Sequence, residues 1–214
     1  SIIETKANKY LEFKDEIIMS TIVKNEDNYI RQWILFHQNI GITRFIIYDN
    51  SKNSTLENTI KDFISEKIVI LIKWTYPYNT KRARVSAQTT QQNHSIWGFQ
   101  NSKYIGLFDV DEYINMQNDT NIHHFFDKLI KDEKIDCDEI GSFRLLNKSF
   151  YNPDRLSEKN FYFLKIYNCN TISLRGQEKN FVIPKNVSTF SVHMITKGKR
   201  MCTVSYDKLF FNHY

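Results

Sequence analysis

Tyr104-Ile105-Gly106-Leu107-Phe108-Asp109-Val110-Asp111-Glu112 is the stretch on which the reading of the fold turns. Its first five residues form a short hydrophobic run of strand length, and the next four carry three carboxylates. A strand that leaves an interior and runs straight into acid marks a sheet whose C-terminal rim holds chemistry. Side chains two apart on an extended chain point the same way, so Asp109 and Asp111 are expected to project together beyond the strand. Two convergent carboxylates make a hard, oxygen-rich site suited to Mg2+ or Mn2+, ions that commonly hold a phosphate as well. A lone Asp-x-Asp also occurs as a helix-capping turn. The strand before it favours the metal reading here.

The residues on the N-terminal side repeat the strand-then-polar pattern. Glu16 to Val23 is an apolar run of strand length, ended by Lys24-Asn25-Glu26. A helix is expected from Glu26 to Ile40, capped by Asn25, with Ile30, Trp33, Ile34 and His37 recurring at helical spacing and Gly41 closing it. Arg44 to Tyr48 reads as the second strand, followed by the turn Asp49-Asn50-Ser51. Ser54 to Glu57 reads as a capping box opening a helix with Leu56, Ile60, Phe63 and Ile64 on its apolar face. Lys67 to Trp74 is the third strand. Arg82 to Phe99 is a helix expected to turn Val85, Ile96 and Trp97 inward, and Lys103 to Phe108 is the fourth strand.

Beyond about residue 120 the rhythm changes. One helix, Ile122 to Lys131, precedes strand-like stretches at Ile140–Leu146, Phe161–Ile166, Asn180–Ile183, Thr189–Ile195 and Met201–Tyr206. The expectation is therefore one α/β domain over 1–214 whose parallel βαβ half (about 16–112) and mixed, β-rich half (about 113–214) share a sheet.

Composition excludes several classes. The 214 residues are 41% hydrophobic and 25% charged, enough apolar material for a core and too little net charge for a disordered chain. Only 6 Gly and 3 Pro are present, which excludes a collagen-like or linker-rich protein. Lys and Arg exceed Asp and Glu by 29 to 24, a mild +5 that suits an anionic small ligand. The basic runs Lys81–Arg84 and Lys197–Arg200 are too short for a nucleic-acid face, so no nucleic-acid partner is expected. Cys137, Cys169 and Cys202 are far apart and never form a Cys-x-x-Cys pair, which points to a reducing compartment without a disulfide framework or zinc site. No stretch approaches the roughly 20 apolar residues of a membrane span. The N-terminus is too polar for a signal sequence, and its opening Ser leaves an upstream anchor open.

If the first, second and fourth strands are parallel, Lys24-Asn25-Glu26, Asp49-Asn50-Ser51 and Asp109-Val110-Asp111 share one rim. Asp49 and Asn50 suit base and ribose groups of a nucleotide, and a helix starting at Asn25 suits its phosphates. Gln88 and Gln92 share a helix face with Ile96 and need partners, since unsatisfied buried amides cost about 1–3 kcal/mol. His193 and His213 lie in strand-like surroundings. His213 becomes a third metal ligand if the last strand returns to the acidic run.

Val23-Lys24-Asn25-Glu26, Trp33, His37, Gly41 and Tyr48-Asp49-Asn50-Ser51 together resemble the opening of glycosyltransferase family 92 and its bacterial and viral relatives. Gln88 and Asn93 match that family's Gln…Asn helix, and Asp109 to Tyr113 its Asp-x-Asp-Glu-Phe/Tyr segment. Lys179, Pro184, Val187 and His193 resemble a later Lys…Pro…Val…His stretch, and Asn212-His213-Tyr214 an Asn-His-Tyr close. The resemblance spans roughly residues 20 to 214. It implies a GT-A-type fold, a divalent cation (Mn2+ or Mg2+), a nucleoside-diphosphate sugar donor of the UDP-sugar kind, and a glycan acceptor, in a bacterial or virus-infected host cytoplasm. Residues Phe143 to Ser149 depart from the family's Trp…Phe-Gly-Ser-Ser-Gly region, so no acceptor specificity is carried over. Because relatives continue past the position of Tyr214, a longer protein is expected.

On that reading Asp111, with His213, holds the metal, and Asp109 contacts it or the ribose. Val23 to Glu26, Asp49, Asn50, Ser51, Gln88, Asn93 and Val110 line the donor site, and Lys179 neutralises the departing diphosphate. An inverting reaction needs a carboxylate base, for which Glu178 and Asp207 are candidates; a retaining one needs none. Two rivals are an aspartate-nucleophile phosphatase and a nucleotide- or glycan-binding module. The phosphatase pattern wants its Asp-x-Asp near the N-terminus with Thr or Val two residues on, where this chain has Tyr113.

Overall fold

The computed structural model describes residues 13–79, 86–150, 169–173 and 177–214. Strand β1 (Ile17–Val23) is buried at every position, as a central strand covered on both faces must be. It lies between β2 (Arg44–Asp49) and β4 (Tyr104–Leu107), parallel to both, and β3 (Val69–Lys73) pairs parallel to β2. The second half supplies β6 (Ile140–Leu145), β9 (Lys179–Val182) and β12 (Arg200–Thr203) to the same sheet. Its order is β12-β6-β9-β4-β1-β2-β3, with β9 antiparallel to β4 and β6. The expected α/β organisation holds: a mostly parallel sheet entered by an antiparallel strand from a mixed second half.

Alternation along the strands builds two cores. Ile17, Met19, Phe45, Ile47, Phe143 and Phe181 face one way. They meet α1 (Ile30–Asn39), the short helices α2 (Leu56–Thr59) and α3 (Lys61–Ser65), and α5 (Ile122–Glu133), which contribute Trp33, Ile34, Leu56, Phe63, Phe126 and Leu129. Ile18, Ile46, Tyr48, Ile105 and Val182 face the other way, against Ala87 and Ile96 of α4 (Ala87–Gly98) and Val187 and Phe190 of β10 (Val187–Ser191).

Several local expectations change. The first helix begins at Ile30, not Glu26, because Asn25 adopts a left-handed conformation (φ 62°) and donates its N–H to Ser51 Oγ instead of capping. The Ser54–Glu57 capping box gives way to a helix starting at Leu56 with Thr55 at the N-cap and no side-chain cap; Ser54 Oγ accepts the Leu56 N–H. That helix breaks at Ile60 yet still buries Leu56, Ile60 and Phe63. Helix α4 starts after Ser86, whose side chain accepts from Thr89 N–H. Ile96 takes the inward position, so Trp97, about 100° further round, is 58% exposed and donates its indole N–H to Ser188 O. The expected inward Val85 and the strand Phe161–Ile166 lie outside the described residues.

The second half does not lie in one sheet. Residues 189–195 turn back at Val192-His193 to make a hairpin of β10 with β11 (Met194–Gly198). A second sheet, ordered β5-β13-β7-β8, unites β5 (Glu112–Met116), β13 (Leu209–His213), β7 (Asn147–Phe150) and β8 (Cys169–Ser173).

Gly41 ends α1 as the sequence suggests, at φ +102° with its N–H on Gln38 O, and a Cβ there would meet Asn121 Nδ2 at 2.9 Å. Gly41→Ala therefore combines a left-handed penalty with a clash. Urea unfolding is expected to show a loss of about 1–2 kcal/mol; unchanged stability would mean that the turn relaxes freely.

Candidate active site

At the C-terminal ends of β1 and β4 lies a cleft of about 530 Å³, lined by Ile22, Lys24, Glu26, Tyr78, Asp109, Val110 and Asp111. The parallel strands put their polar ends on one rim, as crevices of open α/β sheets require. The two aspartates of the acidic run reach this cleft with different partners.

Asp109 is held from both sides. Its Oδ2 is 2.5 Å from Lys179 Nζ and its Oδ1 accepts from Gln88 Nε2 at 3.2 Å. Lys179, 3% exposed at the start of β9, also reaches Glu112 Oε2 at 3.1 Å, and the same oxygen accepts the Asp109 N–H at 2.9 Å. Burial opposes the Lys179 charge, but Glu112 and Asp109 outweigh it and keep the ammonium above the ordinary lysine range. Burial also pushes the Glu112 carboxyl up, and Lys179 pulls it back.

Asp111 turns to the other side. Its Oδ2 is 3.6 Å from His213 Nε2, because β13 pairs antiparallel with β5 and sets His213 opposite Glu112. The Tyr214 N–H donates to Asp111 O, completing the return of the last strand to the acidic run. One ligand atom each from Asp111, Glu112 and His213 fall within 4.8 Å of one another. The Asp111 carboxylate facing Nε2 raises the His213 pKa, burial opposing, and His213 Nδ1 is buried with no hydrogen-bond partner among the described residues.

Beneath this run sits an aromatic buttress. Trp33 Nε1 donates to Glu112 O at 3.1 Å, and His37 Nδ1–H donates to Trp33 O at 2.8 Å. His37 is fully buried, which drives its pKa down to about 3, and its ring stacks on Tyr113 at 5.8 Å. The motif Trp33…His37 is thus packed under the acidic segment and shapes its backbone.

Other sequence-predicted residues find varied places. Lys24 stands over the Tyr78 ring, 5.6 Å from its centroid. Glu26 lines the cleft, its carboxyl pushed up first by burial and then by Asp111. Val23 O accepts the Asn50 N–H. Asp49 is buried facing a neighbouring cavity of about 380 Å³ with Ser54, Glu57 and Lys73. Burial opposes its charge, but Lys73 Nζ at 2.9 Å and the Ser51 N–H at 2.9 Å hold its carboxyl below the usual range. Asn50 Nδ2 donates to Trp74 O and Tyr76 O. Asn93 is spent on β10, donating to Phe190 O and accepting its N–H, and Gln92 donates to Val192 O.

Two expectations need correcting. Asp207 lies in the turn before β13, where Leu209 pairs with Met116, at the far end of the ladder from the Glu112–His213 pair. At the usual rise Leu209 is about 14 Å along the strand from His213, and Asp207 lies in the turn beyond it, so Asp207 is not brought to the acidic run. Lys179 is buried against two carboxylates and does not line the cleft. Glu178 precedes it and accepts the His193 Nδ1–H on its carbonyl.

The family model of glycosyltransferase family 92 matches residues 17–214. The chain belongs to glycosyltransferase family 92. It is similar to a family 92 protein of Ricinus communis, 22% identical over 205 residues, 93% of this chain and 35% of that protein. A family 92 protein of Oryza sativa subsp. japonica is 18% identical over 199 residues, 91% of this chain and 32% of the other. The chain thus spans about a third of the length of these curated relatives. Among solved structures, S. aureus TarS aligns over 67% of this chain and 23% of its own, with TM-score 0.43 and 12% identity. S. aureus TarS 1–349 in complex with UDP aligns over 67% and 38%, with TM-score 0.43 and 13% identity. Among the described residues, no helix of this family 92 chain is long and apolar enough to cross a membrane.

Glu112 was absent from the sequence-based site, although it directly follows Asp111; its role depends on Lys179, which no spacing reveals. Replacing Lys179 with Met strands two carboxylates, one fully buried. Such a break costs about 3–5 kcal/mol, and Lys179→Met is expected to lose that much in chemical denaturation. Adding Glu112→Gln should restore part of it; a fully additive double variant would show that the two groups are not coupled.

Proposed function

We propose that this family 92 chain transfers a sugar from a nucleoside diphosphate, of the UDP-sugar kind, to a hydroxyl of a glycan acceptor, aided by Mn2+ or Mg2+. One observation carries the reading: Asp111, Glu112 and His213 converge at the rim of a cleft that Asp109 and Glu26 also line. The donor set fits the ion. Carboxylate oxygens with one imidazole suit Mn2+, and the 3.6 Å between Asp111 and His213 leaves their facing atoms close enough to share a cation.

Asp111 and His213 would hold the ion, with Glu112 behind them. When bound, the ion supplies positive charge against the diphosphate that leaves. Lys179 and Gln88 fix Asp109 toward the ribose, and Lys24 and the segment Val23–Glu26 flank the nucleotide. The acceptor oxygen forms its bond to the anomeric carbon as the bond from that carbon to phosphate oxygen breaks. In an inverting reaction the acceptor proton passes to a carboxylate; Glu178, beside the Lys179 cluster, is the remaining candidate from the sequence. In a retaining reaction the departing diphosphate oxygen takes that proton, and the base is not needed. Asp49 and Asn50 support the donor site indirectly, through the turn and loop they hold.

Asp111→Ala tests the reading. Loss of an outer partner of a metal site already costs about 10- to 100-fold in affinity, so loss of a ligand is expected to cost at least that. Titration calorimetry should show UDP affinity in Mn2+ falling to the metal-free level, with stability within about 0.5 kcal/mol of the parent. Unchanged Mn2+-dependent affinity would overturn the metal role. Tight donor binding without hydrolysis or transfer under any divalent metal would favour a binding module instead.

A further inference from the structure

We infer that Tyr78 is the stacking wall for the nucleobase of the donor, and that Asn50 serves the site by holding the segment that carries Tyr78. This rests on the proposed nucleotide-sugar reading and adds the residue that grips the base.

Tyr78 follows β3, two strands away from β1 in the sheet order, yet its ring lines the cleft beside Asp109 and Asp111. The chain from Trp74 to Tyr78 must therefore cross the end of β2. Asn50, at that end, donates its side-chain amide to Trp74 O at 2.6 Å and Tyr76 O at 2.7 Å. The Trp74 N–H donates to Asp49 O, and the Trp74 indole N–H donates to Ala87 O at 3.1 Å. Trp74 and Tyr76 stack at 5.4 Å, and the Ala87 N–H reaches Tyr78 O. A side chain that looked like a base or ribose ligand in the sequence is thus spent on lacing a loop to the sheet and to α4.

The ring so presented is 38% exposed, with Lys24 Nζ 5.6 Å from its centroid. Burial and then Asp109 raise the pKa of its hydroxyl, consistent with a ring half-sunk beside the acidic run. Ile22 adds an apolar patch to the same cleft. A flat π-face next to apolar surface, in the cleft that the acidic run borders, fits a planar base. Base-on-aromatic stacking accepts any base, because every base has a π-face. Lys24 over the ring adds cation–π attraction and positive charge to this wall of the cleft.

The test is titration of the intact chain with UDP, GDP and inorganic pyrophosphate in Mn2+. Stacking is worth about 1–3 kcal/mol per base on alanine substitution, roughly a 5- to 150-fold change in affinity. Tyr78→Ala is expected to weaken UDP and GDP by that factor and leave pyrophosphate unchanged, while Tyr78→Phe stays within about twofold of the parent. Asn50→Ala should weaken the nucleotides in the parent background but add little in the Tyr78→Ala background, which independent effects would not do. Equal affinities of the parent and Tyr78→Ala for UDP would overturn the inference and leave the donor reading standing. So would a Tyr78→Ala defect confined to the acceptor KM, which would assign the ring to the acceptor sugar. A parent chain that binds pyrophosphate but no nucleotide would overturn the donor reading itself.

Discussion

A single ammonium, that of Lys179, has to be kept charged where it is 3% exposed. Removing a charge from water costs several kcal/mol unless opposite charge and hydrogen bonds replace the solvent. Asp109 at 2.5 Å and Glu112 at 3.1 Å supply both, and they come from the two ends of one turn between β4 and β5. The constraint therefore works in two directions. It pins β9 to that turn, and it gives the two aspartates of the turn different partners. Asp109 is paired with Lys179 and gripped by Gln88, while Asp111 faces His213 and the cleft.

The backbone of that turn is shaped from below as well. Trp33 and His37 sit one helical turn apart on α1 and form a short hydrogen-bonded stack ending on Glu112 O. Both are fully buried, and a histidine held neutral in such a place is a packing residue with one well-used donor. Helix α1, closed by Gly41, thus fixes the height of the acidic run above the sheet. The polar rim and the apolar core are not separate structures: the same turn belongs to both.

Much of the sheet was legible in the chain because burial on both faces leaves an unbroken apolar run. Ile17–Val23, Arg44–Asp49 and Tyr104–Leu107 announce themselves, and so does the turn at Gly41. The second sheet was harder to see. Strand β5 starts on Glu112 inside what reads as an acidic loop, and the Val192-His193 turn, with Val192 at φ 33°, carries none of the glycine that normally marks such a reversal. The acidic run and His213 could be named from residue type and position relative to strands. Their partners could not, since Lys179 lies 70 residues from Asp109 and a buried ion pair leaves no periodic trace. Asp49 and Asn50 carry turn bonds that the sequence does not display. Polar groups at a strand end invite a ligand role, yet a turn has its own N–H and C=O groups to satisfy, and here it takes them first.

Strand β13 lies between β5 and β7, in the interior of its sheet, although it comes last among the strands. Its pairing of His213 with Glu112 joins positions about a hundred residues apart, a contact whose loop-closure entropy must be met before it returns any energy. A ribosome making this chain therefore completes most of the parallel sheet while the histidine is still unmade. Until that last strand inserts, Glu112 has Lys179 but no imidazole across from it. Among the described strands, the cluster of Asp111, Glu112 and His213 is therefore the last to close, and its closure reports that the strands before it have folded.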